Sequence, residues 1–300
     1  MRKRTHKKRP SSSINFIFTA VVLFVILVIG YRLFKMHHPS PPKDIVLIKK
    51  TVKVLPPEIK KELKHASPSA TFRVPILLYH YVEYVRDRKD TIRQSLSINS
   101  YVFEKQLQTL QDAGYTFMTT GQLSGVLDGK TSLPEKPVIL TFDDGYRDFY
   151  TDAYPLLKKY NAHATAYIVP GFLNALNYMD KDQLEEIARD GLVEIGAHTV
   201  HHVYLKNAPL SRVEYEALES KKLLEDELHI PIVSFAYPYG AFDKQAIEVV
   251  KTANFKTAVS TVPGIEASQA NRFFLFRIRP GGRTGDYLLR FLEQTAFKPY

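Results

Sequence analysis

An apolar run that stops at two adjacent aspartates and a glycine, Pro137 to Tyr146 (PVILTFDDGY), constrains this chain more than any other stretch. Val138, Ile139 and Leu140 carry β-prone side chains in a segment bounded by Pro and Gly, the pattern of a fully buried strand. Asp143 and Asp144 follow just past its C-terminal end. Asp-Asp-Gly is also ordinary turn chemistry, because Asp and Gly both suit tight turns. Two adjacent carboxylates repel, so near a core they need a cation, a hydrogen-bond shell, a shared proton or water.

The rest of the chain supplies the context for those carboxylates. Three hundred residues, 45% of them hydrophobic, suffice for one large domain or two small ones. The net charge of +10 is concentrated at the start: residues 1–35 hold eight Lys/Arg and no acid, whereas residues 73–300 hold 26 bases against 28 acids. No Lys/Arg cluster with interleaved aromatics follows residue 72, which argues against a nucleic-acid partner. The absence of cysteine excludes disulfides, thiolate catalysis and Cys-based zinc sites.

Arg2, Lys3, Arg4, Lys7, Lys8 and Arg9 precede an uncharged run from Pro10 to Tyr31. About 20 apolar residues span a bilayer, and the stronger positive flank lies before the run, so the N-terminus is expected in the cytoplasm. The run is long for a signal peptide and no small-residue cleavage site follows it. The expected organisation is a basic cytoplasmic tail (1–13), a single-pass membrane anchor (14–34), a Pro-, Ser- and Lys-rich extracytoplasmic linker (35–72) and a catalytic domain (73–300).

Strand-like and helix-like stretches alternate from Arg73 onward. Expected strands are Val74–Tyr79, Thr116–Met118, Val138–Phe142, Thr165–Val169, Leu192–Ile195, Val233–Tyr237, Lys256–Val259 and Leu275–Ile278. Helical patterns cover Phe103–Ala113, Tyr150–Tyr160, Asp182–Arg189, Arg212–Leu228 and Ala246–Ala253. The alternation predicts an α/β fold with a parallel sheet, as a distorted (β/α) barrel of about seven strands, with an open doubly wound sheet as the alternative. No GxGxxG follows a strand, so a dinucleotide site lacks its usual fingerprint.

Several polar groups fall just after these strands. In VEIGAHTVHH, His198 and His202 are four apart, and a helix there would put both imidazoles on one face. His201 is expected to point elsewhere. SFAYPYG ends in a turn in which a backbone N–H can face a ligand, which makes Tyr237, Pro238, Tyr239 and Gly240 candidate substrate contacts. His80 closes the strand of PILLYHY. In β/α barrels such ends converge on one mouth. Two imidazoles and one carboxylate make a three-ligand set for Zn²⁺ or a similar divalent ion, leaving a second carboxylate to accept a proton from water and His80 to protonate a departing amine.

TFDDG, HTVHH and AYPYG, in this order and spacing, resemble the first three motifs of the polysaccharide deacetylases (NodB homology, carbohydrate esterase family four), over about residues 73–300. The resemblance implies a barrel that removes acetyl groups from N-acetylated sugars. It makes Asp143 the general base, Asp144, His198 and His202 the ligands of a divalent metal, with zinc foremost, and the Tyr239 N–H part of the oxyanion site. Members commonly carry Arg where this chain has Ala236, so Arg277 or Arg279 of FLFRIRP is expected to supply that charge, with Arg279 taken as the site residue. The chain has no Trp and no His after His229, where many members place their general acid. The permuted branch that includes poly-N-acetylglucosamine deacetylases has that His near the domain start, which makes His80 the candidate acid. The resulting expectation is N-deacetylation of a GlcNAc-containing surface or cell-wall polysaccharide. The alternatives are an O-acetyl polysaccharide esterase or a non-catalytic glycan-binding module.

Overall fold

The computed structural model describes residues 70–87 and 89–294. The expected tail, anchor and most of the linker lie outside the described residues, among which no helix is long and apolar enough to cross a membrane.

Among the described residues, seven strands form one parallel sheet: β1 (Ile76–Tyr79), β2 (Thr116–Met118), β3 (Pro137–Phe142), β4 (Ala164–Ile168), β5 (Val193–Ala197), β6 (Ser234–Ala236) and β7 (Thr257–Val259). Their order is β7-β6-β5-β4-β3-β1, with β2 paired to the first half of β3. The order never reverses direction, as the two halves of a doubly wound sheet would require. The helices that follow the strands are α1 (Ser100–Asp112), α2 (Thr120–Leu127), α3 (Tyr154–Lys159), α4 (Lys181–Asp190), α5 (Leu210–Leu228), α6 (Lys244–Thr252) and α7 (Gly285–Gln294). Of these, α2 and α7 escaped the sequence reading.

Every residue of β1, β3 and β4 is buried, the mark of a sheet covered on both faces. The period of two divides them between two cores: Leu77, Val138, Leu140 and Phe142 pack toward the outer helices, while Ile76 and Ile139 belong to an inner core with Leu123 and Val126 of α2. The sheet curls because residues 272–278 link its two edges. The N–H of Leu275 donates to Ala258 of β7, and that of Ile278 donates to Ile76 of β1. The expected strand Leu275–Ile278 is therefore present as isolated parallel bridges at Leu275 and Ile278.

The alternation also sets the polar interior. Ile139, Thr141 and Asp143 share one parity, so the inner face of β3 runs from hydrocarbon to hydroxyl to carboxylate at the strand's end. Outside this column, Asp148 ties the turn after β3 to the turn after β1, accepting a hydrogen bond of 2.5 Å from the Val82 N–H. Burial, with Glu83 and Asp152 nearby, pushes its carboxyl up to about 7, which the Val82 hydrogen bond only partly offsets.

A carboxyl raised in the fold is protonated there while still ionised in the unfolded chain. Its stability is complete below about pH 4 and is lost as pH rises through 7, by at most about 4 kcal/mol. Asp148→Asn keeps the acceptor and removes the titration, so its Tm should gain on the wild type between pH 4 and pH 8. A constant Tm difference across that range would contradict the assignment.

Candidate active site

The two adjacent aspartates part because the chain turns sharply after β3. Asp143 continues the strand, its N–H bonded to the Tyr79 carbonyl at 3.1 Å. Asp144 and Gly145 then both adopt positive φ, 77° and 79°. Asp is among the residues that tolerate this region, and the reversal sends the two carboxylates in different directions.

Asp143 turns inward onto Arg277. Both guanidinium ends donate to it, Nη1 to Oδ1 and Nη2 to Oδ2, each at 2.7 Å, in the fork geometry that matches a carboxylate. Nη1 also donates to Thr141 Oγ1 at 3.1 Å and Nε to the Ser260 carbonyl at 2.7 Å. Arg277 is 2% exposed. Burial alone would raise the Asp143 carboxyl, but the guanidinium outweighs it and holds the group below the usual carboxylate range. This corrects the expectation for Arg279. That side chain is exposed and makes no hydrogen bond or ion pair with Asp143 among the described residues.

Asp144 turns to the two imidazoles. Its Oδ1 lies 3.3 Å from His198 Nε2 and 3.2 Å from His202 Nε2, and the three ligand atoms fall within 4.8 Å of one another. Oδ1 is buried with no hydrogen-bond partner among the described residues. The tautomer of His198 is set by the Ala236 carbonyl, 2.8 Å from Nδ1: a carbonyl only accepts, so Nδ1 carries the proton and Nε2 presents its lone pair toward Asp144. A buried carboxylate oxygen without a partner, converging with two imidazole nitrogens, is a donor set that fits a divalent cation such as zinc.

The two histidines do not lie on a helix. Residues 198–209 form a loop, and Thr199 and His202 take positive φ of 62° and 52°. Glu216 of α5, fully buried, holds this loop. It accepts from the N–H groups of Val200 (2.8 Å) and His201 (3.0 Å) and pairs with Arg212 at 2.9 Å. His201 contacts Glu216 Oε1 at 3.0 Å and so faces away from the ligand set. From the other side Gly171 N–H donates to the Val200 carbonyl, and a Cβ at Gly171 would sit 2.3 Å from that oxygen. Glu216 was missed because a Glu inside a helical pattern reads as solvent-facing.

His80 follows β1 and is half-buried. Burial lowers its pKa and Arg279 and Arg277 lower it further, while Asp143 and Asp144 oppose the shift. The third motif divides. Tyr237, expected to contact substrate, is instead fully buried, its hydroxyl donating to the Phe273 carbonyl at 2.9 Å, and Pro238 is buried beside it. Tyr239 alone projects outward, with φ of 59° and its ring centroid 4.6 Å from that of His202. Its N–H has no acceptor among the described residues. Gly240 follows at φ 66°, where a Cβ would meet Thr261 Oγ1 at 2.0 Å, so the turn admits no side chain there.

Removing the carboxylate that fixes the histidine loop should weaken the ligand set. Glu216→Ala is expected to lower zinc affinity tenfold or more, by roughly the loss typical of groups that orient ligands. A calorimetric zinc titration giving wild-type affinity would show that the loop holds its shape unaided.

The polysaccharide deacetylase family model matches residues 130–258, which contain all three motifs but neither His80 nor Arg277. The chain is 24% identical over 292 residues to a poly-beta-1,6-N-acetyl-D-glucosamine N-deacetylase of Staphylococcus aureus, covering 91% of this chain and 95% of that protein. The structure of IcaB from Ammonifex degensii shares the fold, with a TM-score of 0.64 at 23% identity, over 75% of this chain and 97% of that one. The Streptococcus pyogenes deacetylase PplD, solved in complex with acetate, is 31% identical and superposes with a TM-score of 0.69, covering 77% of this chain and 100% of that one. With its three motifs gathered at one end of a curled parallel sheet and this likeness running the whole length of a solved deacetylase, the chain belongs to the polysaccharide deacetylase family.

Proposed function

We propose that this enzyme hydrolyses N-acetyl groups on a GlcNAc-containing surface or cell-wall polysaccharide, using a divalent metal, zinc foremost, held by Asp144, His198 and His202. The observation that carries the reading is the separation of roles between adjacent aspartates: one carboxylate is committed to a guanidinium and the other to two imidazoles. The Staphylococcus aureus relative, named for poly-β-1,6-GlcNAc, supports the substrate class. We read the curled sheet as the family's distorted β/α barrel, and the apolar run at 14–34 as an anchor that keeps the catalytic domain on the extracytoplasmic face.

Each remaining group has a proton or a charge to handle. A divalent ion at the site supplies Lewis acidity and makes water a better nucleophile near neutral pH. Asp143, kept ionised by Arg277, is the acceptor for a proton from the attacking water. The unpaired Tyr239 N–H is a donor for the oxygen that gains charge when the acetamide carbonyl is attacked. His80, with its pKa lowered, is a readier acid than an ordinary imidazolium and gives its proton to the departing amine.

Acetate release by the full chain from N-acetylglucosamine oligomers tests this directly. Release should stop with chelator and return with zinc. Asp143→Asn should reduce kcat at least about 100-fold and His80→Ala by a similar order, the range for losing a general acid or base. Chelator-insensitive release, or release only from O-acetylated glycans, would overturn the reading.

A further inference from the structure

The ligand loop carries a feature that metal binding and hydrolysis leave unexplained. Immediately past His202, Leu205 is fully buried and pins the backbone, while Tyr204 beside it is 56% exposed. Its ring lies 5.9 Å from that of Tyr239, tilted by 35°, and Tyr239 is itself 63% exposed. The two rings thus form a continuous exposed aromatic surface that starts at the metal-ligand His202, 4.6 Å from Tyr239.

Other aromatic residues do not offer this. Tyr81, Tyr146 and Tyr178 also lie near Asp144, but they are half-buried and pack on one another and on Phe172, Tyr81 on Tyr146 at 3.9 Å and Tyr146 on Tyr178 at 5.0 Å. Their faces are already used. Tyr84, Tyr101 and Tyr287 are as exposed as Tyr204, yet adjoin no other aromatic ring among the described residues. Large apolar rings left exposed in contact with each other, at the lip of a site, mark a binding surface.

We propose that Tyr204 and Tyr239 form a sugar-stacking platform that binds the pyranose ring next to the one being deacetylated. The apolar C–H face of a β-linked hexose lies flat on an aromatic ring, and the tyrosine hydroxyls reach its ring substituents. The inference rests on the glycan reading above and adds the neighbouring subsite.

Chain length tests it with the full chain and its metal. For wild type, kcat/KM for N-acetylglucosamine oligomers should rise from dimer to pentamer. Tyr204→Ala should lose about tenfold on the pentamer, as expected for one stacking contact of about 1.4 kcal/mol, with a smaller loss on the monomer. Tyr204→Phe should restore most of it. Equal losses at every length, or a wild-type length profile in Tyr204→Ala, overturns the platform. The second arm needs no turnover. The chain has no Trp, so Tyr204→Trp in a His80→Ala background, which slows turnover and leaves the buried Arg277–Asp143 pair intact, reports from one position. Its emission should change saturably with pentamer and far less with monomer. An unchanged emission overturns the platform, whereas a change in a chain whose wild type releases no acetate from these oligomers would count against the deacetylase reading alone.

Discussion

The buried pair between Arg277 and Asp143 is the constraint on which the site depends. A fully desolvated guanidinium is costly unless its nitrogens find partners. Here the fork is filled by two carboxylate oxygens, the Thr141 hydroxyl and the Ser260 carbonyl. Thr141 passes the network on, its hydroxyl donating to the Leu77 carbonyl at 2.8 Å. One side chain therefore joins β1, β3 and the turn after β7 across the inside of the sheet. Removing either partner would strand a charge in the interior, at a cost of about 3–5 kcal/mol. Such a pair contributes more to fixing one geometry than to net stability.

That geometry explains how adjacent aspartates come to act differently. Strand parity aims Asp143 inward, and the left-handed turn at Asp144 aims its carboxylate at the histidine loop. Burial pushes Asp143 toward protonation, yet the guanidinium holds it below the ordinary carboxylate range, while Asp144 faces the two imidazoles. The repulsion inherent in an Asp-Asp step is eased because the two carboxylates face different partners, a guanidinium for Asp143 and the imidazole pair for Asp144. His80, at the end of β1, is lowered by its burial and lies in the field of both aspartates and of Arg279 and Arg277.

Most of the sheet was legible because buried parallel strands are apolar runs bounded by turn residues, and β2, β3 and β7 fall within a residue of their expected bounds. The three side chains that converge, Asp144, His198 and His202, were legible from their types and spacing. What the sequence could not carry was depth and backbone reversal. Arg277 and Arg279 have the same strand parity, so alternation cannot choose between them; only the position of Asp143 along the inner face does. The four-residue spacing of His198 and His202 suggested a helix, but two positive-φ residues and a buried Glu216 produce the convergence. Tyr237 and Tyr239 differ in the same way, since the turn at Pro238 sends one ring to the core and the other to solvent.

The measurement that tests this account most directly is the turnover of Arg277→Lys, with zinc stoichiometry measured on the same preparation. Lysine keeps the buried positive charge and loses the fork. If the fork fixes Asp143 as the proposed base, the wild type and the variant should each bind one zinc per chain while kcat of the variant falls at least about tenfold, the cost of a misplaced catalytic group. A variant with native zinc content and wild-type kcat would contradict the account.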